Sequence, residues 1–519
     1  MTLKIFFTRF DFLPPKLYNI YVIHRQSVWL QRGVNPTLCR VYATYFFAAK
    51  GEFYDQNKMG SKPIHRLMWQ VGLPLIVSMV LQSVYNIVDT AFVINMGEDG
   101  IAGNLALTYA FPIQLLIIAV GVGTGIGINA LLSKSLGEGD GQTVNRVAGN
   151  SIFLAVCIYA VFLVFGLFGS RLFISIQASG DEKVIEMGTQ YLSICTCASF
   201  GAIGYTIFER FLQATGKSLY STIAQISGAL TNIVLDYVFI FPCGWGVAGA
   251  AWATVIGQVV SLAVAMTFHY AANKKIGSGL RYLAPDAGII GGIYRVGLTA
   301  AIMQGLLSVM MFGVNLILGT AEQADLLQGA FGVYYKIMQF ALFAAFGISN
   351  TIITVLSFNY GLKDKARMKD CIKYGLMISI TVSLAITALF GAFASPLSRL
   401  FGLSSGESGE ELIRTVTLAV RIGSTGYVFM GISVAVQGVF QAFRFAVKPL
   451  VISLLRLAIL VFPIVYAFTL SPRPDSLIWW AFPITELVTA AVSLAMLRAT
   501  YKKVVAPLPD KQQMPDKQS

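Results

Sequence analysis

The sequence predicts an all-α membrane protein with twelve transmembrane helices, and three observations lead to this fold class. Of the 519 residues, 56% are hydrophobic and 12% are charged, a composition outside the range of soluble globular domains. Apolar segments long enough to cross a bilayer, which takes about 20 residues, recur along nearly the whole chain after residue 60. The segments lack the alternation of apolar and polar residues that is typical of membrane strands.

The predicted spans are the apolar runs between clusters of charge, Gly and Pro. In chain order, spans 1 to 6 are 68–94, 101–130, 148–169, 187–212, 218–241 and 247–271. Spans 7 to 12 are 290–318, 329–358, 371–394, 413–440, 447–469 and 477–499.

The distribution of Lys and Arg in the loops predicts the orientation, because these residues stay on the cytoplasmic side during insertion. The ends and loops that share one side carry 22 of them, against 5 on the other side. Both termini are therefore expected in the cytoplasm. This asymmetry accounts for most of the net charge of +13 without a nucleic-acid partner.

Two segments about 224 residues apart resemble each other and indicate an internal repeat. GVGTGIGINALLSKSLGEGD begins at Gly121, and AAFGISNTIITVLSFNYGLKD begins at Ala344. The matched pairs are Gly123 with Gly347, Ser133 with Ser357, Gly137 with Gly361 and Asp140 with Asp364. Because each repeat holds six spans, both halves enter the membrane from the same side. The prediction is two six-helix lobes related by a pseudo-two-fold axis along the membrane normal.

The repeat divides the chain into predicted domains. They are an N-lobe of spans 1 to 6 (62–275), a linker (276–285), a C-lobe of spans 7 to 12 (286–500) and a cytoplasmic tail (501–519). Residues 1–61 fit none of these. We interpret them as an N-terminal extension that is either a cytoplasmic arm or the product of a mis-assigned start, since Met59 would be a natural beginning.

Acidic residues within the spans are the strongest functional signal, because an ionised carboxylate in a bilayer is costly. They are Asp89 in span 1, Asp236 in span 5, Glu486 in span 12 and Glu209 near the end of span 4. Glu209 and its neighbour Arg210 are expected to form an interfacial pair. The two aspartates belong to the N-lobe, and Val314 stands where the repeat would place a second Asp89.

Polar residues accompany the two aspartates at helical spacing. Tyr85 lies one turn before Asp89, and Asn232 lies one turn before Asp236. The further polar residues that could converge on the same site are Gln82, Asn86, Thr254 and Gln258. Burial favours the neutral form of a carboxylate, whereas nearby donors favour the ionised form. A buried polar pocket of this kind can load and release a proton, although a purely structural role for the aspartates is the alternative.

At these residues the chain resembles the multidrug and toxic compound extrusion (MATE) transporters, and more narrowly their DinF-like branch. The motifs that carry the resemblance are GLPLIVSMVLQSVYNIVDTAFV, GVGTGIGINALLSKSLGEGD, ERFLQATGKSLYSTIAQISGALTNIVLDYVFIF and GVAGAAWATVIGQ. The resemblance implies an inner-membrane antiporter, with no cofactor, that expels drugs in exchange for H⁺ or Na⁺. It also implies a coupling cluster that matches Tyr85, Asp89, Asn232, Asp236 and Thr254 here. Relatives often have Pro after the span 5 aspartate, where this chain has Tyr237.

The expected substrates are small amphipathic molecules, often cationic. Met side chains adapt to varied ligands, so Met303 and Met310 of span 7 are weak candidates for the substrate cavity. The other weak candidates are Gln82, Asn86, Gln258 and Glu486. The protein is expected to be a monomer in the bacterial cytoplasmic membrane. Its partners are the bilayer and the substrates, without nucleic acid.

Two other functions remain open from the residues. A flippase for a lipid-linked saccharide precursor would need a strongly cationic cavity, and the intramembrane cations are few: Lys336, Arg421 and Arg456. An intramembrane aspartyl protease could use two aspartates as an acid/base pair. Its motifs pair Tyr-Asp with Gly-x-Gly-Asp, whereas this chain has Leu-Asp-Tyr at 235–237. We therefore expect a transporter and not an enzyme. No metal site is predicted, apart from a possible Na⁺ at the Asp89/Asp236 cluster.

Overall fold

The computed structural model describes residues 58–509, apart from 95, 97–99, 179–180, 278, 280–281 and 402–406. Within this part of the chain the regular secondary structure is entirely helical. Eleven helices are long and apolar enough to cross a membrane, and a bent helix pair provides a twelfth. The predicted fold class is confirmed.

Most of the spans are longer than the apolar runs that predicted them, but span 5 is one residue shorter and span 11 has the predicted bounds. Spans 1 to 6 are Ile64–Ile94, Gly100–Glu138, Gly141–Phe168, Glu182–Cys197 with Phe200–Ala214, Ser218–Ile240 and Gly246–Ala272. Spans 7 to 9 are Ala287–Leu318, Ala324–Gly361 and Lys365–Ala392. Span 10 is Glu407–Ser424 with Tyr427–Ala442, and span 11 is Val447–Leu454 and Val461–Thr469 around a π-helical turn, Leu455–Ile459. Span 12 begins with Pro474–Leu477 and a 3₁₀ turn, Ile478–Trp480, and continues as Ala481–Val504.

Span 10 is broken by 51° between its two halves. The break falls at Thr425 and Gly426, where the sequence GSTG interrupts the apolar run. A Cβ atom on Gly426 would lie 3.0 Å from the Cα of Pro483 in span 12. The bend therefore coincides with a close backbone approach that a larger residue would obstruct.

Two short helices were not predicted. Ser170–Gln177 follows span 3, and Ala394–Phe401 follows span 9. Each has eight residues, which is less than half the length needed to cross a bilayer. They occupy equivalent positions in the two halves, as the repeat requires.

The glycines matched by the repeat lie where the two lobes cross. A Cβ atom on Gly137 of span 2 would overlap the carbonyl oxygen of Phe358, and one on Gly361 of span 8 would overlap that of Lys134. The matched aspartates are also equivalent, because Asp140 and Asp364 each accept a backbone hydrogen bond at the start of the next span, from the N–H groups of Thr143 (3.0 Å) and Arg367 (3.1 Å).

The first halves of spans 1 and 7 pack into the opposite lobes. Leu67, Met68 and Val71 of span 1 belong to a buried cluster made largely of C-lobe residues, such as Phe440. Conversely, Ile293 of span 7 lies in a buried cluster of N-lobe residues. These contacts lie at the end of the bundle that carries most Lys and Arg, which we call the basic end.

Polar contacts fasten the start of each of these two spans to the opposite lobe. Arg367 of span 9 donates from Nη2 to the carbonyl oxygen of Met59 (2.7 Å) and from Nη1 to that of Lys62 (2.9 Å). Asn150 of span 3 donates to the carbonyl oxygen of Ala284 (3.3 Å) and accepts from the N–H group of Asp286 (2.8 Å). We call these the Arg367 clasp and the Asn150 clasp. Together they hold the lobes against each other at the basic end.

Candidate functional site

Spans 5 and 6 approach each other closely at two glycines, and this contact positions the polar residues of span 5. A Cβ on Gly257 would lie 2.7 Å from the carbonyl oxygen of Gly228 and 2.9 Å from the Cβ of Asn232. Gly228 in turn faces Ser261 of span 6. Small residues allow this kind of backbone approach between membrane helices.

Asp236 and Asn232 are buried inside the N-lobe. Asp236 is 0% exposed and Asn232 is 4% exposed. Their spacing of four residues places them on one face of span 5. Neither the nitrogen nor the oxygen of the Asn232 amide has a hydrogen-bond partner among the described residues. A buried amide in this state is suited to bind a ligand, water or a neighbouring polar group.

Three of the predicted residues, Tyr85, Asn86 and Asp89, lie in the last third of span 1. The helical backbone passes through all three positions. Their side chains lie outside the described residues. Their place in the cluster therefore stays a prediction.

A cavity of about 170 Å³ lies between spans 1, 2, 4, 5 and 6 of the N-lobe. Its lining includes four of the predicted residues: Gln82, Asn232, Thr254 and Gln258. Residues from three separate spans, predicted from polarity and spacing alone, thus line one cavity.

A hydrogen-bonded group connects spans 1, 4 and 5 along this cavity. The amide of Gln225 donates to the side-chain oxygen of Gln82 (3.3 Å). Its own oxygen accepts from the hydroxyls of Ser78 and Tyr205. Gln225 therefore bridges span 5 to both neighbouring helices.

Glu209 and Arg210 line the same cavity, and the expectation of an interfacial pair is wrong. Glu209 is 4% exposed and Arg210 is 1% exposed. Gln213, one turn further along span 4, joins them: its amide donates to Oε1 of Glu209 (2.9 Å), and its oxygen accepts from Nη1 of Arg210 (2.7 Å). The position near the end of an apolar run suggested exposure, but spans 2 and 6 cover it.

The remaining predicted residues lie in the C-lobe, away from this lining. Glu486 forms an ion pair with Arg456 of the π-helical turn, with 2.7 Å between Oε1 and Nε. Met310 is 3% exposed and packs in the C-lobe core. The sulfur of Met303 accepts a long contact of 3.9 Å from the Gln441 amide. None of these three residues lines the N-lobe cavity.

The described residues contain no group of three or more His, Cys, Asp or Glu side chains that could hold a metal ion. Asp236 is the described carboxylate of the predicted cluster. A Na⁺ ion there would need oxygen ligands from the neighbouring side chains and from water.

Two similar six-helix lobes, one of which contains a cavity lined in part by polar side chains, define a polytopic transporter of the two-lobed helical class. The MatE family model matches residues 74–238 and 300–467, once in each lobe. The chain therefore belongs to the MatE family, and it is a membrane transporter and not an enzyme.

Individual relatives are more distant. The chain is similar to the multidrug export protein MepA of Staphylococcus saprophyticus, with 23% identity over 375 residues, covering 72% of this chain and 81% of that protein. Its fold resembles that of a MOP superfamily transporter from Pyrococcus furiosus Vc1, with a TM-score of 0.81, 22% identity and coverage of 87% and 98%. An outward-facing multidrug resistance MATE transporter gives a TM-score of 0.81, 23% identity and the same coverage.

Proposed function

We propose that the protein is a secondary active exporter that expels amphipathic, often cationic drugs in exchange for H⁺ or Na⁺. The relatives named for multidrug export support the substrate class. Substrate would leave by alternating access, in which the lobes part at one end of the bundle and then at the other.

The complete burial of Asp236 beside Asn232 is the observation that carries this proposal. A carboxylate removed from water is expensive to keep charged, so a bound cation or a proton stabilises it. The residue can therefore hold an ion in one state of the transporter and release it when the cavity opens to water. The proposed coupling residues are Asp89, Asp236, Tyr85, Asn232 and Thr254.

The proposed substrate contacts are Gln82, Asn86 and Gln258 in the N-lobe and Met303, Met310 and Glu486 in the C-lobe. Because the two sets lie in different lobes, substrate would have to meet them in the space between the lobes. The hydrogen bond of Gln82 with Gln225 and the ion pair of Glu486 with Arg456 would then rearrange.

The proposed location is the bacterial cytoplasmic membrane, with the basic end in the cytoplasm and the protein acting as a monomer. One elementary charge that crosses about 100 mV provides about 2.3 kcal/mol. For a neutral exported molecule this energy supports a concentration ratio of about fifty. One-for-one exchange with a monovalent cation moves no net charge, so that exchange depends on the gradient of H⁺ or Na⁺ alone.

The proposal is tested with inverted membrane vesicles that take up a fluorescent cationic dye when energised. Asp236→Asn and Asp89→Asn are expected to abolish gradient-driven uptake, because the amide cannot carry the ion. Asp325→Asn, an exposed acid in the first turn of span 8, provides the matched control and is expected to transport as the wild type does. Undiminished uptake by Asp236→Asn at normal expression would contradict the proposal.

A further inference from the structure

The N-lobe cavity joins two levels of the membrane. Asn232 and Thr254 line one part of it, and Glu209 and Arg210 line another, nearer to the basic end. Along span 5 the lining extends from Asn232 to Gln225, a separation of seven residues or about 10 Å of helix. The cavity thus connects the level of the proposed coupling site with that of a second buried carboxylate.

The lining of the cavity is largely apolar but includes polar side chains at both levels, and the cavity has room for water. A water molecule needs roughly 10–15 Å³ of such space and two to four polar partners, and the volume is about 170 Å³. Gln82, Tyr205, Gln225, Gln258 and Ser261 supply hydrogen-bonding groups along it. A chain of water molecules can therefore span the distance between the two levels.

The geometry around Glu209 leaves one carboxylate oxygen available for a proton. Oε1 accepts the short hydrogen bond from Gln213, and Arg210 has its own short bond to Gln213. The Tyr205 hydroxyl also bonds to the carboxylate, and Oε2 has a long contact of 3.5 Å with Nη2 of Arg210. A proton on Oε2 would break this long contact and preserve both short bonds.

The electrostatic surroundings of Glu209 are simple. The groups that act on its carboxylate are Arg210, Gln213 and the Tyr205 hydroxyl, all from span 4. The residues that spans 1, 2, 5 and 6 contribute to the lining are uncharged in the part of the chain that the structure describes. A proton on Glu209 would therefore change the charge of the pair with Arg210 from zero to +1.

Stability alone is a weak reason for this ion pair. Moving two charges out of water costs several kcal/mol per ion, and well-packed apolar residues often replace a buried pair at no loss. The position of Glu209 and Arg210 at the wall of a cavity with room for water is better explained if the Glu209 carboxylate exchanges protons.

We propose that Glu209 is a relay carboxylate that passes protons between the coupling site at Asp236 and the basic end. The inference rests on the proposed function with H⁺ as the coupling ion. In the transfer, the Asp236 carboxylic acid gives up its proton through the cavity water and becomes a carboxylate, while Oε2 of Glu209 gains the proton. Glu209 then releases this proton to water when the basic end opens.

The test compares four variants in proteoliposomes: Glu209→Gln, Glu209→Asp, Asp236→Asn and the double variant E209Q/R210Q. Dye accumulation driven by an imposed pH gradient is measured beside dye–dye exchange without any gradient. We expect Glu209→Gln to lower the rate of gradient-driven dye accumulation at least about tenfold, since groups that transfer protons contribute that much or more. The rate of dye–dye exchange is expected to stay within twofold of the wild-type rate. Glu209→Asp retains a carboxylate and is expected to retain most of the driven rate.

The outcomes separate the relay from the proposed function. If Glu209→Gln keeps the wild-type driven rate while Asp236→Asn is inactive, the relay alone is overturned. The relay is also overturned if the wild-type protein responds to a Na⁺ gradient and not to a pH gradient. Equal loss of driven transport and exchange in Glu209→Gln and Glu209→Asp assigns the residue a structural role and also overturns the relay. A wild-type rate in Asp236→Asn overturns the proposed function. If Glu209→Gln does not fold, the same two measurements on E209Q/R210Q decide the question.

Discussion

Buried polar side chains distinguish the two lobes at the scale of single residues. In the N-lobe, Asp236 is buried, and Asn232, one turn before it, lines a cavity that has room for water. In the C-lobe, Glu486 is instead neutralised by Arg456 at 2.7 Å. This difference supports the proposal that ions couple in the N-lobe and that the C-lobe pair has a structural or substrate role.

The Glu486–Arg456 pair leads to a stability prediction. Both side chains are largely buried, with 14% and 4% exposure. Removing one partner leaves an uncompensated charge, so Glu486→Gln is expected to lower the free energy of unfolding by about 3–5 kcal/mol. Replacing both residues, in E486Q/R456Q, should recover most of the free energy of unfolding that Glu486→Gln loses. Thermal unfolding of the purified proteins in detergent measures this, and equal midpoints for the single and double variants would contradict it.

The sequence allowed the N-lobe residues to be predicted because an acid or amide within a long apolar run is rare and costly. Asn232, Thr254, Gln82 and Gln258 now line one cavity. The same reasoning failed for Glu209, since a residue near the end of a run can lie either at the interface or under a neighbouring helix. The spacing of polar residues along one helix does not reveal which neighbouring helix covers them.

At the scale of helices, glycine determines how closely the lobes approach. The glycines that the repeat matched, Gly137 and Gly361, lie where spans 2 and 8 cross with their backbones in contact. Asn129 of span 2 adds a hydrogen bond of 2.9 Å to Thr354 of span 8 nearby. This crossing holds the basic end closed.

A methyl group at this crossing should be costly. Gly361→Ala would push a Cβ against the carbonyl oxygen of Lys134, and overpacking of this kind costs about 1–3 kcal/mol. We expect a lower unfolding midpoint in detergent. Gly141→Ala is the control, because a Cβ there meets nothing within 4 Å. Equal midpoints for the two variants would show that the lobes do not pack at Gly361 as described.

The helices themselves were predictable in number and order, because about 20 apolar residues are needed for each crossing. The breaks and irregular turns within the helices were not predictable. The 51° break in span 10 and the π-helical turn with Arg456 depend on contacts with other helices. The two eight-residue helices fall below the length at which hydropathy gives a signal. Residues 1–57 and 510–519 lie outside the described part of the chain, so the predicted extension and most of the tail stay predictions.

At the scale of the whole molecule, spans 1 and 7 each begin in contact with the opposite lobe. The lobes therefore cannot part at the basic end until the Arg367 clasp and the Asn150 clasp release. Alternating access, as proposed, requires this release in every cycle. The strength of the clasps would then bias the protein between its two states.

Weakening one clasp should open the basic end more often. Arg367→Gln removes charged hydrogen bonds to Met59 and Lys62, each worth about 1.5–3 kcal/mol, so the open population should rise by at least about tenfold. The measurement is the labelling rate of a cysteine introduced at Ser133, which is 0% exposed, in a background without other cysteines. Lys369→Gln, an exposed change two residues away, is the control. An unchanged labelling rate in Arg367→Gln would contradict the clasp.

The most direct measurement of the central claim compares the lobes in proteoliposomes, with the pH gradient and the Na⁺ gradient imposed separately. The variants are Asp236→Asn in the N-lobe and E486Q/R456Q in the C-lobe. Coupling in one lobe predicts that Asp236→Asn loses its response to whichever gradient drives the wild type. The C-lobe variant lacks the proposed Glu486 substrate contact and transports more slowly, but its rate still rises when that gradient is imposed. A driven response that survives Asp236→Asn and disappears in the C-lobe variant would contradict the account.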